Sequence, residues 1–299
     1  MVILEMPFLK IKILIDMISV YLNGRLGNQI FQYVMTRILS EKSQTNFWIP
    51  KNKEDSIEFY SNISKKFNHN LELPVEDNPH YWIGNELFDI DFGNNDGNID
   101  LILNEDLNSL DFEDQYDNFI LYNNSSNILL LGYFQNNEYF KNKRYEIVKW
   151  LSFTDKVKSE SKDILEKYPV EKYCYIHFRG GDYKNISQFY LPKEYYLKSI
   201  NKIKEINSDL KFLIITDDLE EAEKMFPDYE IISNSMHVDF YLLNNSKYTI
   251  IPNSSFSWWS SWLNLNNIIT IAPNRWFNYN SGGDFFPKNI KTELFTYID

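Results

Sequence analysis

An alternation in the second half of the chain constrains the fold more than any other feature. Apolar runs rich in β-formers, YCYIHF (173–178), KFLIIT (211–216), YTIIP (248–252) and IITIAP (268–273), are separated by stretches with helical spacing. Those stretches are PKEYYLKSINKIKEIN (192–207), EEAEKMF (220–226) and a third that opens at about Ser257. Strands that alternate with helices pair in parallel, because each helix carries the chain back to the starting edge. Every strand exit is polar: His177 to Asp182, Asp217 with Asp218, Asn253 to Ser257, and Pro273 to Trp276. Open parallel sheets bind ligands beyond the carboxyl ends of their strands, so these four clusters are expected to converge on one site.

The front of the chain carries a similar unit. MISVYL (17–22) reads as a strand and NGRLGN (23–28) as a glycine loop, and Ile30, Phe31, Val34, Met35, Ile38 and Leu39 then recur at helical spacing. ILLLGYFQ (128–135) is a second strand, whereas Lys51 to Asn127 is Asn- and acid-rich with no strong period and is expected to form loops and a few short helices. The chain therefore reads as α/β in two units, 1–150 and 151–299, with a boundary near Trp150 to Thr154 and the last residues crossing back over the first unit. Residues 1–16 read as an extension, since Met17 stands directly before the first strand.

Charge and cysteine count exclude several classes. A net charge of −12 leaves no basic stripe with which to track a nucleic-acid backbone, so a bound phosphate needs a local site that overcomes the global field. Cys174, the single cysteine, forms no internal disulfide and sits in an apolar run as a small buried hydrophobe. The apolar first stretch is interrupted by Glu5, Pro7, Lys10, Lys12 and Asp16, and no uncharged run approaches the roughly 20 residues of a spanning helix. Four scattered histidines provide no zinc spacing, so no metal is expected. The Asp89/Asp91 pair reads as chance.

The strand exits hold the candidate chemistry. Gly24 and Gly27 allow a tight turn, and Asn28 begins a helix whose free N–H groups suit an anion or a sugar hydroxyl; an ordinary helix entry is the plain alternative. Arg179 is a forked cation at a strand end, fit to grip a pair of phosphate oxygens, or to form a salt bridge with Asp182. His177 lies within its strand as a core histidine whose ring can also face a ligand. Of Asp217 and Asp218, one can meet a base or ribose and the other cap the next helix. Asn253, Ser254, Ser255 and Ser257 form a second anion cradle at a helix start. Trp258 and Trp262, four apart, read as core packing.

Taken in order, NGRLGNQIFQY, GYFQNNEYF, IHFRGGDY, ITDD, DFYLL, NSSFSWWSSWLN and IAPNRWF resemble the inverting α-1,2-fucosyltransferases of glycosyltransferase family 11. The resemblance runs from about Met17 to Phe277. It implies a GT-B-like α/β fold of two Rossmann-like domains facing a cleft, with an N-terminal acceptor-side domain and a C-terminal GDP-fucose-binding domain. It implies transfer of L-fucose from GDP-β-L-fucose to the 2-hydroxyl of a terminal galactose, with inversion, without a metal and with no cofactor beyond the donor substrate. Arg179 matches the arginine that neutralises the β-phosphate, and His177 with one of Asp217 and Asp218 matches the guanine and ribose contacts. Gly24, Arg25, Gly27, Asn28, Asn253, Ser254, Ser255 and Phe256 fall at donor-side positions, and Asp182 is the positional candidate for a catalytic acid or base. The expected partners are a nucleotide sugar and a galactose-terminated glycan, not nucleic acid. Several N-x-S/T sequons, Asn253 among them, fit a cytoplasmic enzyme working at the face of a membrane. One departure matters: the family reads H-x-R-R-x-D, and the second arginine is here Gly180. That predicts a slower enzyme or a compensating cation, for which Arg25 and Arg275 are the candidates. A different nucleotide sugar, or a sugar-binding relative without turnover, are the alternative readings.

Overall fold

The computed structural model describes residues 17–76, 78–95, 98–105, 127–277, 287 and 289–299. The expected extension before Met17, and residues 106–126 of the acid-rich stretch, lie outside them.

Two parallel sheets organise the chain. The first has the order β2-β1-β5-β4, from β1 (Met17–Val20), β2 (Asn46–Trp48), β4 (Leu101–Asn104) and β5 (Asn127–Leu131). The second has six strands, β7 (Tyr173–Phe178), β8 (Lys211–Thr216), β9 (Glu230–Ile232), β10 (Tyr248–Ile250), β11 (Ile269–Pro273) and β12 (Thr296–Ile298), in the order β9-β8-β7-β10-β11-β12. Counted within its own half this is 3-2-1-4-5-6, the doubly wound order, whose direction reverses between β7 and β10. The first sheet reverses between β1 and β5. A crevice opens at such a reversal because neighbouring connections leave to opposite faces. An antiparallel pair, β3 (Phe88–Asp89) with β6 (Ser152–Phe153), ties the halves together.

Among the described residues, four helices fall where the sequence periods lie and four are additions. α1 (Leu26–Ser43) buries Ile30, Phe31, Val34, Met35, Ile38 and Leu39, as their spacing requires. α2 (Lys53–Phe67) is a full 15-residue helix where loops and short helices are expected. Its buried face is a narrow stripe of Ser56, Phe59, Tyr60 and Ile63, with Phe67 packed beside it, at helical spacing, and its ends are well signalled. Asn52 accepts from the Asp55 N–H, Glu54 and Asp55 occupy the first turn, and Lys65 and Lys66 the last, which complements the helix dipole. α3 (Arg144–Trp150) and α4 (Asp155–Lys167) follow, the latter capped by Thr154. α5 (Lys193–Ile206), α6 (Leu219–Met225), α7 (Met236–Asn245) and α8 (Ser255–Trp262) belong to the second sheet. β12 extends that sheet's edge beside β11, while the Asn289 carbonyl accepts from the Asn137 N–H of the first half.

One continuous core spans both halves. Trp258, Trp259 and Trp262 of α8 pack on Phe31 of α1 and on Phe140, so the tryptophans are core residues as read. The contact between α1 and α8 is close because of Gly27: a Cβ there would lie 2.4 Å from the Phe256 backbone nitrogen. No side chain fits that crossing, and the two helix N-termini consequently meet. Among the described residues, no helix is long and apolar enough to cross a membrane.

Candidate active site

A cleft of about 1140 Å³ lies where the two sheets' reversal points face each other. It exceeds the roughly 300–1,000 Å³ usual for one small ligand, leaving room for two substrates. Gly24, Arg25, Gly27, Asn28, His177, Arg179, Asp182, Asp217, Ser254, Ser255 and Phe256 all line it. Three expected members do not: Ser257 is fully buried, its hydroxyl donating to the Ser254 carbonyl at 3.3 Å, and Asn253 and Asp218 turn away from the cleft. Asn253 is fully buried, its amide donating to the Trp276 carbonyl at 2.6 Å behind the wall. Asp218 caps α6, accepting from the Glu221 N–H at 3.2 Å, and is paired with Lys184 at 2.6 Å. Asp217 is the acid of that pair which reaches the cleft. At the fourth strand exit Trp276 and Phe277 line the cleft, and Arg275 does not.

The cation at the centre is already gripped. Arg179 donates through Nη1 to Asp217 Oδ2 and through Nη2 to Asp182 Oδ1, the latter at 2.5 Å. The salt bridge to Asp182 is therefore real, and Asp217 adds a second. Two carboxylates on one guanidinium leave the trio with a net negative charge, so the positive field for an anion has to come largely from elsewhere. Three sources are at hand. α1 and α8 both begin at the cleft with free N–H groups, and Asn28 Oδ1 accepts from Ser255 Oγ at 2.9 Å and from Gln135 Nε2 at 2.8 Å, fixing the two starts together. Arg25, the residue before α1, lines the cleft; burial pushes the nearby Tyr183 phenol up to about 12, against the charges of Arg179 and, to a smaller extent, Arg25.

Gly180 explains its own departure from the family pattern. A Cβ at this position would lie 2.6 Å from the Asp218 Cβ, so an arginine could not start here with Asp218 in place. The Gly180 N–H instead donates to Asp217 Oδ1 at 3.0 Å, which holds the loop against the β8 exit. Of the two expected compensating cations, Arg25 is positioned in the cleft. Arg275 is outside it, with its Nη1 buried and without a partner among the described residues.

The floor of the cleft is desolvated. His177 is buried, and burial together with the Arg179 charge lowers its pKa to about 3, so the ring is neutral at any ordinary pH. Its Nδ1 has no partner among the described residues. Asp239, in the first turn of α7, lines the same cleft; burial raises its pKa to about 7 although Asn234 donates to both carboxyl oxygens. Sequence reasoning missed Asp239. Its signals were an acid inside the apolar run VDFYLL and its place at the head of the DFYLL segment of the resemblance, to which no role was given. Tyr183 and Phe189 stack at 5.1 Å and Phe277 meets Phe189 edge-on at 5.0 Å, forming an aromatic rim of flat surfaces beside the charged wall.

The model for Glycosyl transferase family 11 matches residues 88–292. An alpha-1,2-colitosyltransferase of Escherichia coli is 32% identical over 191 residues, covering 58% of this chain and 64% of that protein. The O-antigen biosynthesis glycosyltransferase WbnK, also of Escherichia coli, is 34% identical over 119 residues, covering 36% of this chain and 39% of that protein. The matches thus span less than two thirds of either relative's own length. A crystal structure of POFUT1 in complex with GDP aligns with a TM-score of 0.50 at 9% identity, covering 83% of this chain and 94% of that one, a likeness of fold. The architecture is α/β and GT-B-like.

Proposed function

The chain belongs to glycosyl transferase family 11, and from that premise we propose that it moves L-fucose from GDP-β-L-fucose to the 2-hydroxyl of a terminal galactose, with inversion and without a metal. The observation that carries the donor assignment is the presence in one cleft of a neutral His177, its buried Nδ1 without a partner among the described residues, and the buried Asp239 carboxyl. Guanine presents two adjacent N–H donors, at N1 and N2, to a single carboxylate. Adenine and uracil offer one donor flanked by acceptors, which a carboxylate repels. In this reading Asp239, in place of Asp217 or Asp218, meets the guanine edge, and the aromatic rim backs the nucleoside.

The diphosphate then lies across the two helix starts, between Arg25 and Arg179. As the C1–O bond to the β-phosphate breaks, its electron pair passes to the phosphate oxygen, and negative charge grows where N–H groups and guanidinium already point. Preorganised donors of this kind are worth about 100- to 1000-fold each. The acceptor oxygen forms its bond to C1 on the opposite face. Its proton passes to Asp182, whose Oδ1 is held by Arg179 while Oδ2 has no partner among the described residues. The donor belongs to residues 151–299 and the acceptor side to 1–150, and the enzyme works in the cytoplasm at a membrane face where glycan precursors are built.

The colitosyltransferase relative favours one specific alternative, a donor carrying colitose in place of fucose on the same site. Incubation with GDP-fucose or GDP-colitose and a β-galactoside, with and without EDTA, separates the two. Product from GDP-fucose with an α linkage at O2, undiminished by EDTA, is the expected result; turnover of GDP-colitose alone, or loss of product in EDTA, would replace it.

A further inference from the structure

The wall opposite the charged loop has a different chemistry. Asn23 and Tyr133 line the cleft at the exits of β1 and β5, where the first sheet reverses, Asn78 joins them from the segment between α2 and β3, and none of the three carries a charge. We propose that this neutral wall is the acceptor subsite: Asn23, Asn78 and Tyr133 bind a pyranoside through its hydroxyls, and the Tyr133 phenol discriminates between acceptors. The inference rests on the glycosyl-transfer reading above and adds the residues that choose what is glycosylated.

The three side chains form a chain of hydrogen bonds that ends in an unused donor. The Gly24 N–H donates to Asn78 Oδ1 at 2.8 Å, Asn78 Nδ2 donates to Asn23 Oδ1 at 2.8 Å, and Asn23 Nδ2 donates to the Tyr133 hydroxyl at 3.1 Å. The phenol oxygen thus accepts, and its own hydrogen has no acceptor among the described residues. A phenol polarised by a donated hydrogen bond and left with a free hydrogen suits a sugar hydroxyl, and its ring face suits the C–H surface of a pyranose.

The wall is also rigid beyond what a turn requires. The Asn23 N–H donates to Gln32 Oε1 at 3.0 Å, and Gln32 Nε2 donates to the Gly132 carbonyl at 2.9 Å, locking the β1 exit to the β5 exit. Behind the ring, Glu105 Oε2 accepts from the N–H groups of both Tyr133 and Phe134, at 2.9 and 2.8 Å. Phe134 there holds a left-handed φ of 53°, a conformation that a bulky residue keeps only when its surroundings enforce it. Tyr133 is nevertheless 41% exposed, so this scaffold presents the ring to the cleft and does not bury it. Donor groups are held by charge on one wall, and uncharged hydroxyls are met by uncharged partners on the other.

Steady-state kinetics on the full chain tests this. GDP-fucose hydrolysis without acceptor is measured first, then its acceleration by methyl β-galactoside and by the analogues lacking one ring hydroxyl each. Tyr133→Phe is expected to raise the KM for galactoside about five- to tenfold, the scale of one neutral hydrogen bond, while the KM for GDP-fucose stays within twofold. One deoxy analogue that is penalised with the wild-type protein is expected to lose that penalty with Tyr133→Phe, a signature that misfolding does not produce. Asn78→Ala should raise the same acceptor KM. If both variants keep the wild-type acceptor KM and the full set of deoxy penalties, the subsite is wrong while the transferase reading stands; if donor hydrolysis proceeds but no galactoside accelerates it, the galactose assignment falls and the subsite with it. A wild-type protein that neither hydrolyses GDP-fucose nor transfers its sugar would overturn both.

Discussion

The two walls of the cleft solve opposite problems. On the second sheet's side the side chains are buried or charged, and desolvation shifts their proton affinities by whole units: His177 falls to about 3 and Asp239 rises to about 7. On the first sheet's side Asn23, Asn78 and Tyr133 are amides and a phenol that stay half in water, and the one cation lining the cleft there among the described residues, Arg25, sits at the start of α1 where the diphosphate lies. A nucleoside diphosphate needs the first kind of surface, since its charge has to be neutralised and its base read in a dry pocket. A sugar acceptor needs the second, since its hydroxyls exchange water for partners of equal polarity. Binding on the first wall is therefore electrostatic and titrates near neutral pH, whereas the Asn23–Asn78–Tyr133 chain stays uncharged there, burial pushing the Tyr133 phenol above its ordinary value.

Breaking the charged wall should have the largest effect. Arg179→Ala is expected to cut kcat by about 100- to 1000-fold, with Tm little changed, because the guanidinium meets charge that grows on the leaving phosphate. A variant that folds and keeps full turnover would remove Arg179 from the mechanism and leave the helix starts with Arg25 as the whole anion site. No substitution on the neutral wall should approach this loss in kcat.

The next effect is smaller and isolates the dry floor. Asp239 must be ionised to meet two guanine N–H donors, so GDP affinity should fall as pH drops below about 7, and Asp239→Asn should bind weakly without that dependence. Stability shows the same two residues with opposite signs. His177 stays neutral in the folded chain while the unfolded chain protonates it below about 6.5, so it loses stability as pH falls through that window toward 3. Asp239 keeps its proton up to about 7 while the unfolded chain gives it up above about 3.8, so it gains stability over nearly the same range as pH falls. Each slope is about 1.4 kcal/mol per pH unit, and they cancel in the wild type. Relative to wild type, urea unfolding from pH 6.5 to 4 should show Asp239→Asn losing stability on acidification and His177→Gln gaining it; parallel curves for all three would mean that neither group is desolvated as described.

How much of this was legible beforehand follows from what each residue depends on. Strands β7, β8, β10 and β11 carry their own apolar runs, and helices α1 and α5 show a period, so the second sheet and the convergence at its exits could be read directly. α2 was missed although Phe59, Tyr60, Ile63 and Phe67 recur at helical spacing and its ends are marked at Asn52 and Lys65, because that narrow stripe is diluted by the lysines and acids of a surface helix in an otherwise aperiodic stretch. Asp217 and Asp218 are chemically identical, and only the direction of the chain after β8 decides that the second becomes a cap. Asn253 turns inward toward the Trp276 carbonyl, 23 residues away, which no local pattern records. Asp239 acquires its character from burial, and Tyr133 from Glu105, Asn23 and Asn78, all distant in sequence. Residues whose role comes from the backbone could be read; residues whose role comes from neighbours could not.

The smallest expected effect separates the walls most cleanly. Screening acts on charges that water reaches, and the Debye length falls from about 10 Å at 0.1 M salt to about 3 Å at 1 M. Arg25 is exposed at the cleft and the Arg179–Asp182 pair is partly so, with Asp182 47% exposed, whereas the Asn23–Asn78–Tyr133 chain carries no charge to screen. Raising the ionic strength with potassium chloride should therefore raise the KM for GDP-fucose a few-fold and leave the KM for the galactoside unchanged. An acceptor KM that climbs in step with the donor KM would mean that a charged group, and not the neutral wall, holds the acceptor. A donor KM indifferent to salt would mean that the diphosphate is bound by the buried helix starts alone, with Arg25 too far from it to matter.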